Sequence, residues 1–146
     1  MKALEISHKE FLEKFEKSRK VLEKFDLVIG IARAGEKPGK EIARMLGKDF
    51  ACVSFRKYDD GMPPKKIYDE AKLVRDIGTE VELKGKRVLV VDDFSRTGET
   101  LTKAKELLQK KGAQVRTLAI GGQFGDFVLF KTDLCVRLPN ELKGDE

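Results

Sequence analysis

The sequence predicts an α/β fold: a single domain, residues 1–146, in which a twisted parallel sheet is flanked by helices. Three observations predict it. The runs Leu27 to Ile31 and Val88 to Val91 are short and apolar at every position, as strands buried on both faces must be. Stretches in which apolar residues recur with helical spacing stand between such runs. The resulting order, strand then helix then strand, repeats, and repeated crossovers of this kind are right-handed and make a parallel sheet. A chain of 146 residues suits one compact domain, so a site is expected on its rim and not between domains.

Taken in order, Ser7 and Glu10 have the spacing of a capping box, and Phe11, Leu12, Phe15, Val21, Leu22 and Phe25 follow at helical intervals, which predicts an amphipathic helix over residues 8–24. The strand Leu27 to Ile31 runs into Gly30-Ile31-Ala32-Arg33-Ala34-Gly35, and Pro38 suits the first turn of a helix that Gly47 ends after Leu46. A strand from Phe50 to Phe55 comes next. The stretch from Arg56 to Lys86 is dominated at first by turn formers and charges and reads as a long mobile excursion. Gly85 then turns the chain into a strand from Arg87 to Asp92, followed by a helix from Gly98 to Lys111 that Gly112 stops, and by a strand from Val115 to Ile120. The tail from Gly121 onward is less regular, with a last strand near Leu134 to Leu138 and a charged end expected to fray.

The formal net charge of +5 comes from Lys and Arg interleaved with Glu and Asp, as in Lys9-Glu10 and Lys105-Glu106. That is a solvated surface with some attraction for small phosphate ligands, and it argues against nucleic acid as a partner. Abundant Lys and Glu without Trp is a composition that thermophile proteins favour. Cys52 and Cys135 each sit inside an apolar run without a second cysteine nearby, so they are expected to be buried strand residues in a reducing compartment. No signal-like start and no apolar run of the roughly 20 residues that span a bilayer are present, which predicts a cytoplasmic protein with no membrane contact. His8, the single histidine, is far from the loops below and is expected on the surface.

The chemistry concentrates in Asp92-Asp93-Phe94-Ser95-Arg96-Thr97-Gly98-Glu99-Thr100. In open parallel sheets ligands bind beyond the carboxyl ends of the strands, and the two acids stand where Val88 to Val91 runs out. Free N–H groups at the helix start, two hydroxyls and the positive end of the helix dipole then converge at Thr97 to Thr100, a cradle for a phosphate monoester. Two carboxylates beside a phosphate are costly unless they face ribose hydroxyls or a Mg²⁺-bound water, so the combination points to a sugar phosphate. A strand-end turn with one Asp capping the next helix accounts for the acids alone but not for the whole nonapeptide. The Walker pattern is absent, since Gly35-Glu36-Lys37-Pro38-Gly39-Lys40-Glu41 has the wrong gap and ends in Glu. A dinucleotide fingerprint is absent too, because Gly30 and Gly35 are separated by Ile31-Ala32-Arg33-Ala34. A receiver-like signalling domain would carry its acid pair nearer the N terminus.

Val-Leu-Val-Val-Asp-Asp-Phe-Ser-Arg-Thr-Gly-Glu-Thr, residues 88–100, resembles the signature of the type I phosphoribosyltransferases. Ile29-Gly30-Ile31-Ala32-Arg33-Ala34-Gly35 with Pro38 resembles that family's pyrophosphate loop, most closely in the xanthine-guanine branch. The resemblance covers Ser7 to Pro139 and implies a type I phosphoribosyltransferase-like sheet with a small C-terminal hood. It implies that Asp92 and Asp93 act as the catalytic acids, holding the ribose hydroxyls of 5-phosphoribosyl-1-pyrophosphate and, indirectly, Mg²⁺. It implies further that Ser95, Arg96, Thr97, Gly98, Glu99 and Thr100 hold the 5-phosphate, and that Arg33, Ala34 and Gly35 bind the pyrophosphate. Tyr58, Lys65 and Lys66 would belong to a flexible lid, with the two lysines meeting the leaving pyrophosphate. The partners implied are the sugar pyrophosphate and a nucleobase, such as xanthine, guanine or hypoxanthine, and dimers being common in the family, a homodimer is the expected assembly.

Three positions depart from the purine-specific pattern. Arg96 stands where those enzymes carry an Asp for proton transfer, and a guanidinium cannot act as a base. Gly121-Gly122-Gln123-Phe124 supplies no lysine to read a purine oxygen, and Cys135 stands where an aromatic would stack, leaving Phe124, Phe127 or Phe130 to offer a ring or to pack in the core. The acceptor is therefore open, Arg96 would suit an acidic one by charge pairing, and a regulatory protein that binds the same ligand without turnover is the alternative.

Overall fold

A computed structural model describes residues 3–59 and 61–143. Ser7 Oγ accepts the Glu10 N–H at 3.1 Å and Glu10 Oε1 accepts the Ser7 N–H at 3.1 Å, which fixes the start of α1 (His8–Leu22). Phe11, Phe15 and Leu22 then share one fully buried face. α2 (Glu36–Leu46) ends at Gly47, whose φ of 66° lies in the left-handed region that glycine adopts without strain. α3 (Glu99–Lys110) buries Leu101, Ala104 and Leu108.

Six strands make the main sheet: β2 (Leu27–Ala32), β3 (Asp49–Arg56), β4 (Lys72–Arg75), β5 (Arg87–Ser95), β6 (Gln114–Gly122) and β7 (Phe127–Lys131), after the short β1 (Ala3–Glu5). Their order is β4-β3-β2-β5-β6-β7, and every pairing is parallel except that of β3 with β4. Leu89 and Val91 of β5 pack with Phe11, Phe15 and Ile42 on the side of α1 and α2, while Val88 and Val90 pack with Leu101, Ala104 and Leu108 of α3. A strand covered by helices on both faces has no use for a polar alternate residue. The expected parallel α/β sheet with flanking helices is what the chain forms.

The hood is a parallel pair of β1 with β8 (Cys135–Arg137), laid across the end of β6. A side chain at Gly121 would come within 2.2 Å of Val136 Cγ1, so the hood strand rests directly on that glycine. Leu138 and Leu142, the latter in a 3₁₀ turn (Asn140–Leu142), anchor the tail in the core.

Six expectations change. The excursion after β3 is not wholly irregular: Lys72 to Arg75 form the antiparallel edge strand β4, Ala71 is buried, and Ile77 and Leu83 pack in the core with Leu101, Ala104 and Leu108 of α3. β5 continues through the acid pair to Ser95 because β6 is long enough to pair Ala119, Gly121 and Gly122 with Asp92, Phe94 and Ser95. β7 arises in the tail that looked irregular, and the hood takes its second strand from residues before Ser7. The two cysteines are half-buried strand residues, with Cys52 Sγ 3.6 Å from Glu36 Oε1 and its thiol pushed up to about 11 by burial and that carboxylate. His8 is half-buried, and its Nε2 is shut off from solvent without a hydrogen-bond partner.

β7 is unusual in running parallel to β6 although only residues 123–126 connect them. Parallel neighbours ordinarily need a crossover of a dozen residues or more. Here the chain doubles back along β6, with Gly122 and Gly125 at φ of 121° and 150°. Asp126 is then held against Thr117: its Oδ2 accepts the Thr117 N–H at 2.8 Å, and its own N–H donates to Thr117 Oγ1 at 3.0 Å.

Candidate active site

β3 lies on one side of β2 and β5 on the other, so the strand order reverses between β2 and β5. Loops that leave the carboxyl ends of two such strands part from each other and open a crevice, the place where open sheets bind ligands. One loop carries Arg33, Ala34 and Gly35, and the other carries Arg96, Thr97 and Gly98. Pairing between β2 and β5 stops at Gly30 and Val91, so from Asp92 to Ser95 only β6 supplies ladder partners. Gly35 lies against the vacated edge: a Cβ there would stand 2.6 Å from the Val91 carbonyl oxygen and 3.1 Å from Asp92 Cα. Only glycine lets this loop approach so closely, and the Ala32–Arg33 peptide before it is cis.

The two acids are held by their own backbone. Asp92 Oδ1 accepts the Asp93 N–H at 2.8 Å, and Asp93 Oδ1 accepts the Phe94 N–H at 2.7 Å. Both side chains keep some solvent contact, yet the protein around them excludes most water. Burial, and then the charge of Asp93, push the Asp92 carboxyl well above the usual range; burial also raises Asp93, against the hydrogen bonds that favour its charged form. Two hard oxygen donors short of positive charge fit a Mg²⁺ ion held through water or sugar hydroxyls. No group of three or more His, Cys, Asp or Glu side chains among the described residues is placed to chelate a metal by itself.

Ser95 is buried, 5% exposed, and its Oγ has no hydrogen-bond partner. It stands at the start of a three-residue turn into α3, whose Gly98 N-cap has a φ of 81° and no side-chain cap. Thr97 Oγ1 accepts the Glu99 N–H at 3.3 Å, while the next two N–H groups of the helix lack intrahelical acceptors. Free N–H groups and the positive end of a helix thus face one cavity of about 450 Å³, which Ser95 also lines, with its orphan hydroxyl shut in beneath the surface.

Asp92 and Ser95 to Thr100 line that cavity together, and so does Tyr58 of the expected lid. Asp93 and the Arg33-Ala34-Gly35 loop flank the crevice without lining the cavity itself. Lys65 and Lys66 are exposed on a ribbon away from it, and Lys66 lies 3.9 Å from Asp69. Glu99 lines the cavity too, and its carboxylate accepts from Lys57 Nζ at 2.9 Å and from the Ala71 N–H at 3.3 Å. Arg96 is exposed on the cavity rim and makes no ion pair with another described residue. Phe124 is 51% exposed and packs on Gly98, whereas Phe127 and Phe130 pack against the core. Arg56 and Lys57, which no motif in the sequence marks, also line the cavity. Their position is the signal, since they stand at the carboxyl end of β3, which belongs at the ligand side of the sheet.

The family model described as the phosphoribosyl transferase domain matches residues 3–121, which include both loops and the acid pair. The chain belongs to this family. Among curated relatives it is 36% identical over 125 residues to a hypoxanthine-guanine phosphoribosyltransferase of Lactococcus lactis, covering 79% of this chain and 64% of that protein. It is 33% identical over 95 residues to the transcriptional regulator GfcR 1 of Methanosarcina barkeri, covering 65% and 44%. The chain therefore spans less than two thirds of the length of either. Among solved structures, the purine phosphoribosyltransferase of Pyrococcus horikoshii superposes with a TM-score of 0.71 at 25% identity, covering 93% of each chain.

Proposed function

We propose that this chain transfers the 5-phosphoribosyl group from 5-phosphoribosyl-1-pyrophosphate to a ring nitrogen of a nucleobase, releasing pyrophosphate. The observation that carries it is the buried, unpartnered Ser95 Oγ beside the open N-terminus of α3, on the same short segment as two acids that lack positive charge. Ser95, Thr97, Thr100 and the first free N–H groups of α3 hold the 5-phosphate. Asp92 and Asp93 accept from the ribose hydroxyls and orient the sugar. Arg33, Ala34 and Gly35, on the far side of the crevice, bind the pyrophosphate, and Arg56 adds a cation on the opposite wall.

Breaking the bond from C1 to pyrophosphate while a ring nitrogen approaches passes through an oxocarbenium-like state, in kind that of glycoside cleavage. Mg²⁺, when bound, withdraws charge from the leaving pyrophosphate, and Asp92 and Asp93 are the residues that would hold it, through water or sugar hydroxyls. The remaining work of the chain is positioning, charge stabilisation and exclusion of water, the last assigned to the ribbon that begins at Tyr58. A purine acceptor is supported by the named activities of the Lactococcus and Pyrococcus relatives. Arg96 gives no base to take the proton from a neutral purine, and it favours an acceptor that is anionic on that edge. A cytoplasmic homodimer acting in base salvage, without nucleic acid or membrane partners, completes the proposal.

Pyrophosphate release is measured with the sugar pyrophosphate and Mg²⁺ against guanine, hypoxanthine, xanthine, adenine, uracil and orotate. Base-dependent release that disappears in an Asp92→Asn, Asp93→Asn double variant is the expected result. No release with any base, beside Mg²⁺-dependent binding of the sugar phosphate by calorimetry, supports the second reading, a binding protein with a regulatory role. Arg96 and the regulator from Methanosarcina barkeri favour that reading.

A further inference from the structure

Residues 57–71 leave the sheet after β3 and return to it just before β4, with only a narrow ladder of their own. Tyr58 bridges to Lys66, the Asp59 N–H donates to the Lys65 carbonyl at 2.8 Å, and the Ile67 N–H donates to the Lys57 carbonyl at 2.8 Å. The tip is exposed, with Met62 at 95%. Such a ribbon would be free to swing on its two stems. Both stems meet one carboxylate: Glu99 Oε1 takes the Lys57 ammonium at 2.9 Å and Glu99 Oε2 takes the Ala71 N–H at 3.3 Å. A second pair, Lys103 with Glu70 at 3.3 Å, repeats the tie one turn further along α3.

Glu99 is also the first residue of α3, directly after the turn that presents the phosphate cradle. A carboxylate there would repel an incoming phosphate if it stood alone. Lys57 cancels that charge, and in doing so it fixes the ribbon's first stem to the cradle. We propose that Glu99 is a positioning residue: it joins both stems of the 57–71 ribbon to the phosphate loop, so that the ribbon is held ready over a ligand whose phosphate that loop binds. The proposal rests on the phosphoribosyl-transfer reading for its kinetic consequence, though not for the tether itself. A ribbon already fixed at both ends loses less conformational freedom on closing, and that saving appears in the affinity for the sugar pyrophosphate.

The test compares Glu99→Ala, Glu99→Gln and the unaltered chain, first without any ligand by hydrogen exchange. Loss of charge-assisted bonds at both stems predicts exchange about tenfold faster or more at Ala71 and across residues 57–68 in Glu99→Ala, with α3 beyond Leu101 unchanged. Glu99→Gln keeps an acceptor oxygen and recovers a large part of that protection. With substrates, KM for the sugar pyrophosphate rises in Glu99→Ala more than kcat falls, Glu99→Gln lies between, and the Kd of ribose 5-phosphate changes less than either. Unchanged exchange in the ribbon overturns the proposal. A fall in ribose 5-phosphate affinity as large as the change in KM also overturns it, because Glu99 would then serve the phosphate directly. If the unaltered chain turns over no base, the transferase reading fails while the exchange result still decides the tether.

Discussion

β3 and β5 are parallel strands that deliver their loops to the same crevice, yet the two deliveries differ. Beyond β5 the chain needs three residues to reach a helix, Ser95 is shut in beneath Gly122, and the polar groups on offer are backbone N–H and a buried hydroxyl. Beyond β3 the chain wanders through an exposed ribbon whose side chains, Tyr58, Met62, Ile67 and Tyr68, are apolar and face solvent. On the proposed reading, burial and hydrogen bonding are invested in the end that would recognise the 5-phosphate common to every substrate pair. The end that on the same reading would admit and release a reactant is held by a few polar ties, as parts that move in catalysis generally are.

Removing the acids tests the preorganised side most severely. Asp92→Asn with Asp93→Asn is expected to lower the rate of pyrophosphate release by about 10³-fold or more, while thermal unfolding stays where it was or shifts upward, since two crowded buried charges are lost. Parallel loss of activity and stability would show that the acids brace the fold instead. Gly35→Ala comes next. Its Cβ meets the Val91 and Ile31 carbonyl oxygens at 2.6 and 2.7 Å, so denaturant unfolding should register a loss of about 1–3 kcal/mol, with KM for the sugar pyrophosphate raised.

Asp126→Ala probes the same half of the sheet away from the site and should cost about 1–2 kcal/mol at neutral pH by the lost Thr117 bonds. Burial works against the Asp126 carboxylate, but the Thr117 donors with Lys105 and Arg116 outweigh it and hold its pKa below the ordinary 3.8. A depressed folded value means stability that is present above that pH and lost as pH falls through the lower one, so the gap between variant and parent should close in acid melts below about pH 4. The smallest effect is expected on the ribbon. Lys65→Ala with Lys66→Ala should change kcat less than about twofold, under 0.5 kcal/mol, and a larger drop would show that closure swings these lysines onto the pyrophosphate.

What the sequence reveals follows the same division. Val88 to Val91 is legible because burial on both faces leaves an unbroken apolar run, and the loops after β2 and β5 are legible because close approach demands glycine at position 35 and a left-handed turn demands it at position 98. β4 is obscured because an edge strand protects itself with charge, so Lys72 and Arg75 bracket only two apolar residues. β7 is hidden by its connection, whose four residues would suggest a hairpin to any rule based on loop length. β1 is three residues long and gains meaning only from β8, more than a hundred positions away. Glu99 reads as part of the cradle, since nothing local tells that Lys57 and Ala71 will claim its carboxylate.

The two glycines that end β6 set terms for anyone who would re-engineer the acceptor. Val136 of the hood presses on Gly121, and Ser95 of the phosphate turn presses on Gly122, where a methyl group would stand 2.1 Å from the Ser95 carbonyl oxygen. A hood transplanted from a relative brings its own side chain to that contact and will seat only if the graft carries the matching end of β6 with it. If the proposed roles hold, selectivity for the base and grip on the phosphate would be inherited as a linked pair, through two positions that have no side chain to offer either ligand.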